Sequence, residues 1–381
     1  MNNKKQPHTK LAIALSLALG AGSCTSALAE ITLYDEGGTT FSADGLINTF
    51  YVSSDIDDVD DSLDRQQARV KMGFLPNWIG FNMTKQAGDL KLGARSSFWV
   101  SINDSDPVRA GSAGHGVTDT GIDVRQFYGT VDGTWGQLLI GKDFSLFGRA
   151  NIFGDELLKG YGQAGSDGLV DGANVSFGNI GTGYLYPFPN SQITWRSPTK
   201  NGLQLAVGIM DPNKSAVGSE EDSPRLEAEL TWQGSFDKTT MRAWLGGMTQ
   251  ESSNAAGDVN ANGLSYGANI GFGGLSLTAS GFDAEGVGTA GLANFVSSDT
   301  GDVSGYLLQA SYTLNKERFV LSYGENDGGT TAGANDLDAE NTALAWFHSV
   351  NDNLKLVAEF DRTETPTRET DTVAIGAVLS W

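Results

Sequence analysis

Apolar and polar residues alternate with a period of two along most of the chain, in short runs separated by polar turns. Leu203, Leu205, Val207 and Ile209 alternate with Gln204, Ala206 and Gly208, and Leu226, Ala228, Leu230 and Trp232 alternate with Glu227, Glu229 and Thr231. Leu354, Leu356, Ala358 and Phe360 alternate with Lys355 and Glu359. That period belongs to extended strands, whose side chains point to opposite faces in turn. It predicts about sixteen strands. The first runs over 46–53 and the second falls within 65–85, interrupted at Pro76-Asn77. Leu90 to Ile102 is clear, with Leu90, Leu92, Ala94, Phe98, Val100 and Ile102 on one face and Lys91, Arg95 and Ser97 on the other. The rest are 122–131, 137–147, 190–196, 203–210, 225–233, 240–249, 263–272, 275–284, 303–314, 318–325, 341–349, 354–362 and 370–381. The last ends in an apolar face, Val373, Ile375, Ala377, Leu379 and Trp381.

The joints alternate in length. Short ones carry turn residues, as at Ala87-Gly88-Asp89, Asp132-Gly133-Thr134, Gly273-Gly274, Asn315-Lys316-Glu317 and Asn351-Asp352-Asn353. Long polar ones lie at 54–64, 103–121, 211–224, 250–262, 285–302 and 326–340. Short turns at one end and long loops at the other organise a transmembrane barrel, with the long loops outside. Unpaired backbone groups cost several kcal/mol in lipid, so the sheet must close, and only its outer face need be apolar. A soluble sandwich explains alternation equally well but leaves the joint lengths and the terminal strand unrelated. The expectation is all-β: a sixteen-stranded antiparallel transmembrane barrel whose last strand closes against 46–53, with Trp381 as assembly signal and inner-side girdle.

Composition sharpens the compartment. Lys4, Lys5 and Lys10 precede the apolar stretch Leu11 to Ala21, and Ala27-Leu28-Ala29 offers a small-residue cleavage site, so 1–29 is expected to be a signal peptide and 30–381 a single barrel domain. Lipid attachment at Cys24 is the alternative. Cleavage at Ala29 would remove the only cysteine, and with it disulfide chemistry. A net charge of −21 and a pI near 4.4 exclude nucleic acid as a natural partner.

Gly148 to Pro189 is the longest stretch without alternation. It either packs as a surface lid or folds inward, and a sixteen-stranded barrel needs narrowing to be selective, which favours the second. Against such a third external loop, Arg69, Lys91, Arg95, Arg125, Lys142, Arg149, Arg196 and Arg242 are candidates for the basic side of a constriction. Asp143, Asp155 and Glu156 are candidates for its acidic side. Opposed charges would orient a dipolar solute and repel apolar ones. Tyr184, Tyr186 and Trp195 could stack on a sugar or anchor at an interface.

The mature chain resembles a Gram-negative general porin. Asp123-Val124-Arg125-Gln126-Phe127-Tyr128-Gly129 followed by Gly141-Lys142-Asp143-Phe144-Ser145-Leu146-Phe147-Gly148 is similar to the DcaP-like branch. The resemblance implies a homotrimer in the outer membrane of a Gram-negative bacterium, in contact with lipopolysaccharide. It also implies a third loop folded into each pore, and passive diffusion of small hydrophilic solutes with mild preference for anions. Oligosaccharide selectivity is the alternative, and a barrel enzyme or adhesin comes further behind.

No resident cofactor is expected. Asp55, Asp57, Asp58, Asp60, Asp61 and Asp64 crowd the first long loop but lack the glycine and terminal glutamate of a calcium-binding helix–loop–helix, leaving weak external divalent cations as their only expected ligands. His115 and His348 form no compelling catalytic set, so the chain is not expected to be an enzyme.

Overall fold

A computed structural model describes residues 30–100, 102–103, 122–162, 178–287, 301–328 and 338–381. The expected signal at 1–29 and His115 lie outside these residues. Eighteen strands join in one sheet. They are β1 (Ile31–Glu36), β2 (Thr39–Asp58), β3 (Arg65–Lys71), β4 (Asn77–Ala87), β5 (Leu90–Val100), β6 (Asp123–Gly133), β7 (Gly136–Phe144), β8 (Pro189–Arg196) and β9 (Leu203–Met210). There follow β10 (Arg225–Phe236), β11 (Thr239–Asn254), β12 (Gly257–Phe272), β13 (Leu275–Glu285), β14 (Asp302–Leu314), β15 (Glu317–Gly328), β16 (Ala339–Ser349), β17 (Leu354–Thr365) and β18 (Arg368–Ser380).

Counted around the wall there are sixteen. β3 and β4 both pair with β2, at Phe50↔Lys71 to Ile56↔Arg65 and at Thr39↔Lys85 to Leu46↔Trp78, so they are two halves of one broken strand. Pro76, which has no amide to donate, sits in the break. Side chains there replace the missing ladder. Asn48 accepts from the Gly73 amide at 2.5 Å and donates to the Leu75 carbonyl at 2.7 Å, while Asn77 Oδ1 accepts the Asn48 amide at 2.7 Å. β1 is an addition, pairing only with the first residues of β2 through a tight turn at Gly37-Gly38, both at positive φ.

The sheet closes where β18 pairs with β2, from Ser380↔Leu46 to Arg368↔Asp58. Trp381 continues the pairing: its amide donates to the Gly45 carbonyl at 3.1 Å and its carbonyl accepts the Gly45 amide at 2.8 Å. The indole lies against Gly45 so closely that a Cβ there would be 2.3 Å from the ring, which is why glycine is needed at that position. The sixteen expected strands are all present. The expected loop at 250–262 is not: β11 runs to Asn254 and β12 starts at Gly257, so the hairpin closes over Ala255-Ala256. Likewise the 54–64 loop shrinks, because β2 continues to Asp58 and a short 3₁₀ turn follows at Asp61–Leu63.

One face of this wall is apolar and bare. Ile47, Ile209, Leu226, Leu277, Leu308, Leu344, Phe360 and Ile375 are all exposed on alternating positions. In water so large a continuous apolar surface would drive aggregation; in a bilayer it is the lipid-facing belt. Aromatic residues border it. Tyr312, Phe319 and Trp346 are register neighbours toward the short-turn end, Tyr306 and Tyr323 stand toward the other, and Leu321 pairs with Leu344 between them. Among the described residues no helix is long and apolar enough to cross a membrane.

Leu321, which is 57 % exposed on this belt, is therefore at mid-depth. Leu321→Arg is expected to weaken folding into lipid bilayers by about 2–4 kcal/mol, read from urea titration of the inserted protein, with Leu321→Ala much milder.

Candidate functional site

The wall face opposite the lipid belt is where the irregular segment after β7 makes its contacts. Gly148, at φ 73°, turns the chain out of β7 and into a short helix, α1 (Arg149–Gly154). The segment then contacts wall strands in the order in which they follow one another. Leu146 and Phe147 donate their amides to Glu227 Oε2 on β10 at 2.6 and 2.9 Å. Asn151 accepts from Trp244 of β11 at 2.8 Å and donates to the Gly281 carbonyl of β13 at 3.1 Å. The Glu156 amide donates to Gln309 of β14 at 2.7 Å, and the Glu156 carboxylate pairs with Arg318 of β15. The Tyr161 and Gly162 amides both donate to Glu359 of β17, the former at 3.1 Å. On the return, Gly183 donates to Asn326 at 2.7 Å.

Glu227, Glu229 and Glu359 alternate with lipid-facing residues, as their parity requires, but they do not stand in open water. Each is less than 9 % exposed. Glu227 is held by the Arg225 guanidinium at 2.8 Å as well as by the two amides, and Arg225 donates in turn to Ser145 Oγ at 3.0 Å. Asp155 gathers five donor groups: Tyr184 Oη and Gln309 Nε2 at 2.8 Å, the Leu157 amide at 2.9 Å, and the Asn179 side chain and backbone amide at 3.0 and 3.3 Å. A carboxylate so supplied is stable away from solvent.

A basic and aromatic cavity of about 420 Å³ lies beside this segment, between β4–β7 and α1. Its bed is a ring cluster: Trp78 stacks on Trp99 at 4.9 Å, and Phe144 meets Trp99, Phe153 and Tyr186 edge-on at 6.3, 5.9 and 6.1 Å. Three guanidinium groups lie on or beside it. Arg95 holds Asp44 at 2.6 Å and also donates to Asn82 and Gln126. Arg125 sits 4.9 Å over the Trp99 ring, paired with Asp123 at 2.7 Å and donating to Tyr186 Oη at 2.8 Å. Arg149 sits 4.9 Å over Phe153, with its nearest carboxylate, Glu229, at 3.9 Å. Rings beneath a guanidinium fix its plane while leaving an edge for a ligand. Burial pushes the Tyr186 phenol up, so it stays protonated at neutral pH.

Of the residues the sequence nominates, Arg95, Arg125, Arg149 and Tyr186 converge on this cavity. Asp143 is one step away, accepting from Gln126 at 2.9 Å, and buried Arg196 lies close enough to Arg149 and Asp143 to feel both charges. Asp155 and Glu156 stand across the segment on the β14–β15 side. The others are elsewhere. Arg69 is half-buried on β3. Lys91 pairs in register with Asp132 near a short turn, and Arg242 packs 5.2 Å over Trp244 near another. Lys142 is the register partner of Phe127 and Ser191, exposed residues, so it belongs to the lipid-facing side and not with Asp143. Tyr184 is wholly buried, spending its hydroxyl on Asp155, while Trp195 shares the outward parity of exposed Ile193 and donates to the Trp135 carbonyl at 3.2 Å. The three aromatics therefore form no common stacking surface.

Several contributors were not nominated: Asp44, Trp78, Trp99, Phe144 and Phe153. Trp99 was legible, since it shares parity with Arg95 and Ser97; the pairing of Asp44 with Arg95 across a broken strand was not. In the first long loop Asp58 pairs with Arg368 at 2.8 Å and Asp60 caps the 3₁₀ turn. Among the described residues no three His, Cys, Asp or Glu side chains are placed to hold a metal ion.

Glu227→Ala removes the acceptor of two amides and strands Arg225 in a buried site. It is expected to cost about 3–5 kcal/mol of stability, seen as a lowered unfolding temperature of the folded, detergent-solubilised barrel.

With this geometry in hand, comparisons place the chain. The sequence profile of the Gram-negative porin family matches residues 13–368. A comparison with curated protein sequences finds no match. Among solved structures it is similar to an anion-selective porin from Comamonas acidovorans, with TM-score 0.64 and 14% identity over 90% of this chain and 100% of that one. The outer membrane channel DcaP of Acinetobacter baumannii gives 0.65 and 15% over 92% and 100%. OmpT of Vibrio cholerae in its trimer form gives 0.53 and 14% over 90% and 100%. At these identities the likeness is one of fold.

Proposed function

The chain belongs to the Gram-negative porin family and is an outer-membrane β-barrel, and from that premise we propose that it passes small hydrophilic solutes through a pore narrowed by segment 145–188, with a mild preference for anions. The observation that carries this is the run of hydrogen bonds from the segment to Glu227, Trp244, Gln309, Asn326 and Glu359, all on the wall face opposite the lipid belt. A segment tied successively to β10 through β17 on that face crosses the lumen and reduces a wide channel to a slot. The slot has unlike sides. Arg95, Arg125, Arg149 and Arg196 are grouped on the β5–β8 flank, and Asp155, Glu156, Glu359 and Asp361 on the β14–β17 flank.

Charges at the narrow point decide selectivity, because those on the outer loops are screened within about a Debye length, ~8 Å at physiological salt. Arg149, whose nearest carboxylate is 3.9 Å away, and the edge of Arg125 not held by Asp123 face the cavity where an anion would pass, whereas Asp155 and Glu359 are spent on amides and hydroxyls and Glu156 on Arg318. This is how an acidic protein can favour anions. The likeness to an anion-selective porin of Comamonas acidovorans supports the same direction.

Residues 1–29 would serve as the export signal. The short turns, with Trp381 against Gly45, would face the periplasm and the long connections the exterior. A homotrimer, as in the trimer form of Vibrio cholerae OmpT, is the proposed assembly. At the long-connection end of the outer face Glu325, Glu340, Glu364 and Glu369 stand opposite one another in register. These side chains alone form no metal-holding set, so weak external divalent cations would bind there only with lipopolysaccharide phosphates completing the ligands.

In a bilayer with a salt gradient, Arg125→Gln and Arg149→Gln are expected to move the reversal potential toward cation preference, while Lys142→Gln leaves it in place. A potential unmoved by both arginine changes would overturn the assignment.

A further inference from the structure

Three arginines line the cavity, and their counter-charges differ in kind. Arg95 is locked. Two of its nitrogens hold Asp44, at 2.6 and 3.2 Å. Asp44 also accepts from Trp78 Nε1 at 2.9 Å and Asn82 Nδ2 at 2.8 Å, with only 8 % of its side chain exposed. Arg149 has no carboxylate nearer than Glu229 at 3.9 Å. Arg125 lies between these extremes. A single bond ties it to Asp123, from Nε to Oδ2 at 2.7 Å. The Asp123 side chain is 55 % exposed, and among the described residues its Oδ1 accepts no hydrogen bond.

The backbone sets this pair in place. Ser97 pairs with Gln126 and Trp99 with Asp123, so Val124 and Arg125 together stand opposite Phe98. Such a bulge adds one residue to a strand and re-aims its side chains. Strict alternation from exposed Phe127 would send Arg125 outward; the bulge returns it to the inner face, over Trp99 and beside Asp123. Stacking on Trp99 and the Nη1 bond to Tyr186 Oη at 2.8 Å fix the guanidinium plane. What stays adjustable is the carboxylate.

A guanidinium binds a planar oxyanion through two parallel N–H bonds, and one such pair runs along the side formed by Nε and an Nη. On Arg125 that side is the one Asp123 holds. We propose that Asp123 is a resident counter-ion that a permeant oxyanion must displace from Arg125, and that it thereby sets how strongly the pore prefers anions and how it discriminates planar oxyanions from halide. An incoming oxyanion takes Nε as the Asp123 carboxylate turns into the water it already faces. Asp123 returns when the solute leaves, so the bound state is short-lived. Conduction needs that compromise: binding strong enough to draw an ion in and weak enough to let it go. Chloride, a single point of charge, can sit on the Nη atoms without displacing Asp123. The competitor rests on the anion preference proposed above.

The test is the reversal potential of the full-length protein in bilayers, under gradients of potassium chloride and of potassium acetate. Wild type is compared with Asp123→Asn and Asp123→Ala, each alone and combined with Arg125→Gln. Removing the competitor should raise the anion-to-cation permeability ratio by about twofold or more in acetate, and by less in chloride. In the Arg125→Gln background the same changes should do nothing, because no guanidinium is left to compete for. A fixed charge at the pore mouth, by contrast, would act alike on both anions and without Arg125. An equal rise in both salts, a rise that survives Arg125→Gln, or no rise in acetate overturns the competitor. If Arg125→Gln alone moves the potential while the Asp123 changes do not, the competitor alone has failed. If neither Arg125→Gln nor Arg149→Gln moves it, the anion preference has failed with it.

Discussion

The structure depends on one constraint: in hydrocarbon every backbone amide and carbonyl must be bonded within the protein. Closure follows, because an open edge on either side of the sheet would leave a strand unbonded in lipid. β18 and β2 supply the joint, in register from Ser380↔Leu46 to Arg368↔Asp58. Alternation follows too, since only one face of a closed wall can meet lipid. Even the exception obeys the rule. Where Pro76 breaks the second wall strand, Asn48 and Asn77 side chains take over the bonds that the ladder loses.

The same constraint shapes the pore. A wall of sixteen strands is too wide to discriminate, so discrimination has to come from chain that is not part of the wall. Such chain brings its own backbone groups, and those need partners. Glu227 and Glu359 answer that need with carboxylates that bind paired amides, and Gln309 and Asn326 do so with side-chain carbonyls that accept the Glu156 and Gly183 amides. The acidic wall is thereby occupied in holding the segment. The guanidinium groups of Arg125 and Arg149, seated on Trp99 and Phe153, are left with edges toward the cavity. Under the proposed function, anchoring and selectivity would be two consequences of one charge arrangement.

Strand positions were legible because they are local. The period of two at Leu203–Ile209 or Leu226–Trp232 survives into the structure with the predicted faces. β1 escaped notice although Gly37-Gly38 marks its turn, because Ile31-Thr32-Leu33-Tyr34 is too short a run to stand out. Lys142 was misplaced for a different reason. It adjoins Asp143 in sequence, but neighbours on a strand face opposite sides, and parity with Ile140 puts it outside. The site was half legible: Arg95, Arg125 and Arg149 could be picked as basic residues near an irregular segment. Which wall residues bind that segment could not, since Leu146 and Glu227, or Gly162 and Glu359, meet through contacts of long sequence separation that no local pattern encodes.

The central claim is that segment 145–188 is the element that narrows and polarises the pore. Replacing residues 149–187 with a short glycine-serine link and recording single channels tests it most directly. The account predicts a severalfold larger conductance and a reversal potential shifted away from anion preference. Conductance and selectivity equal to those of the intact chain would contradict it.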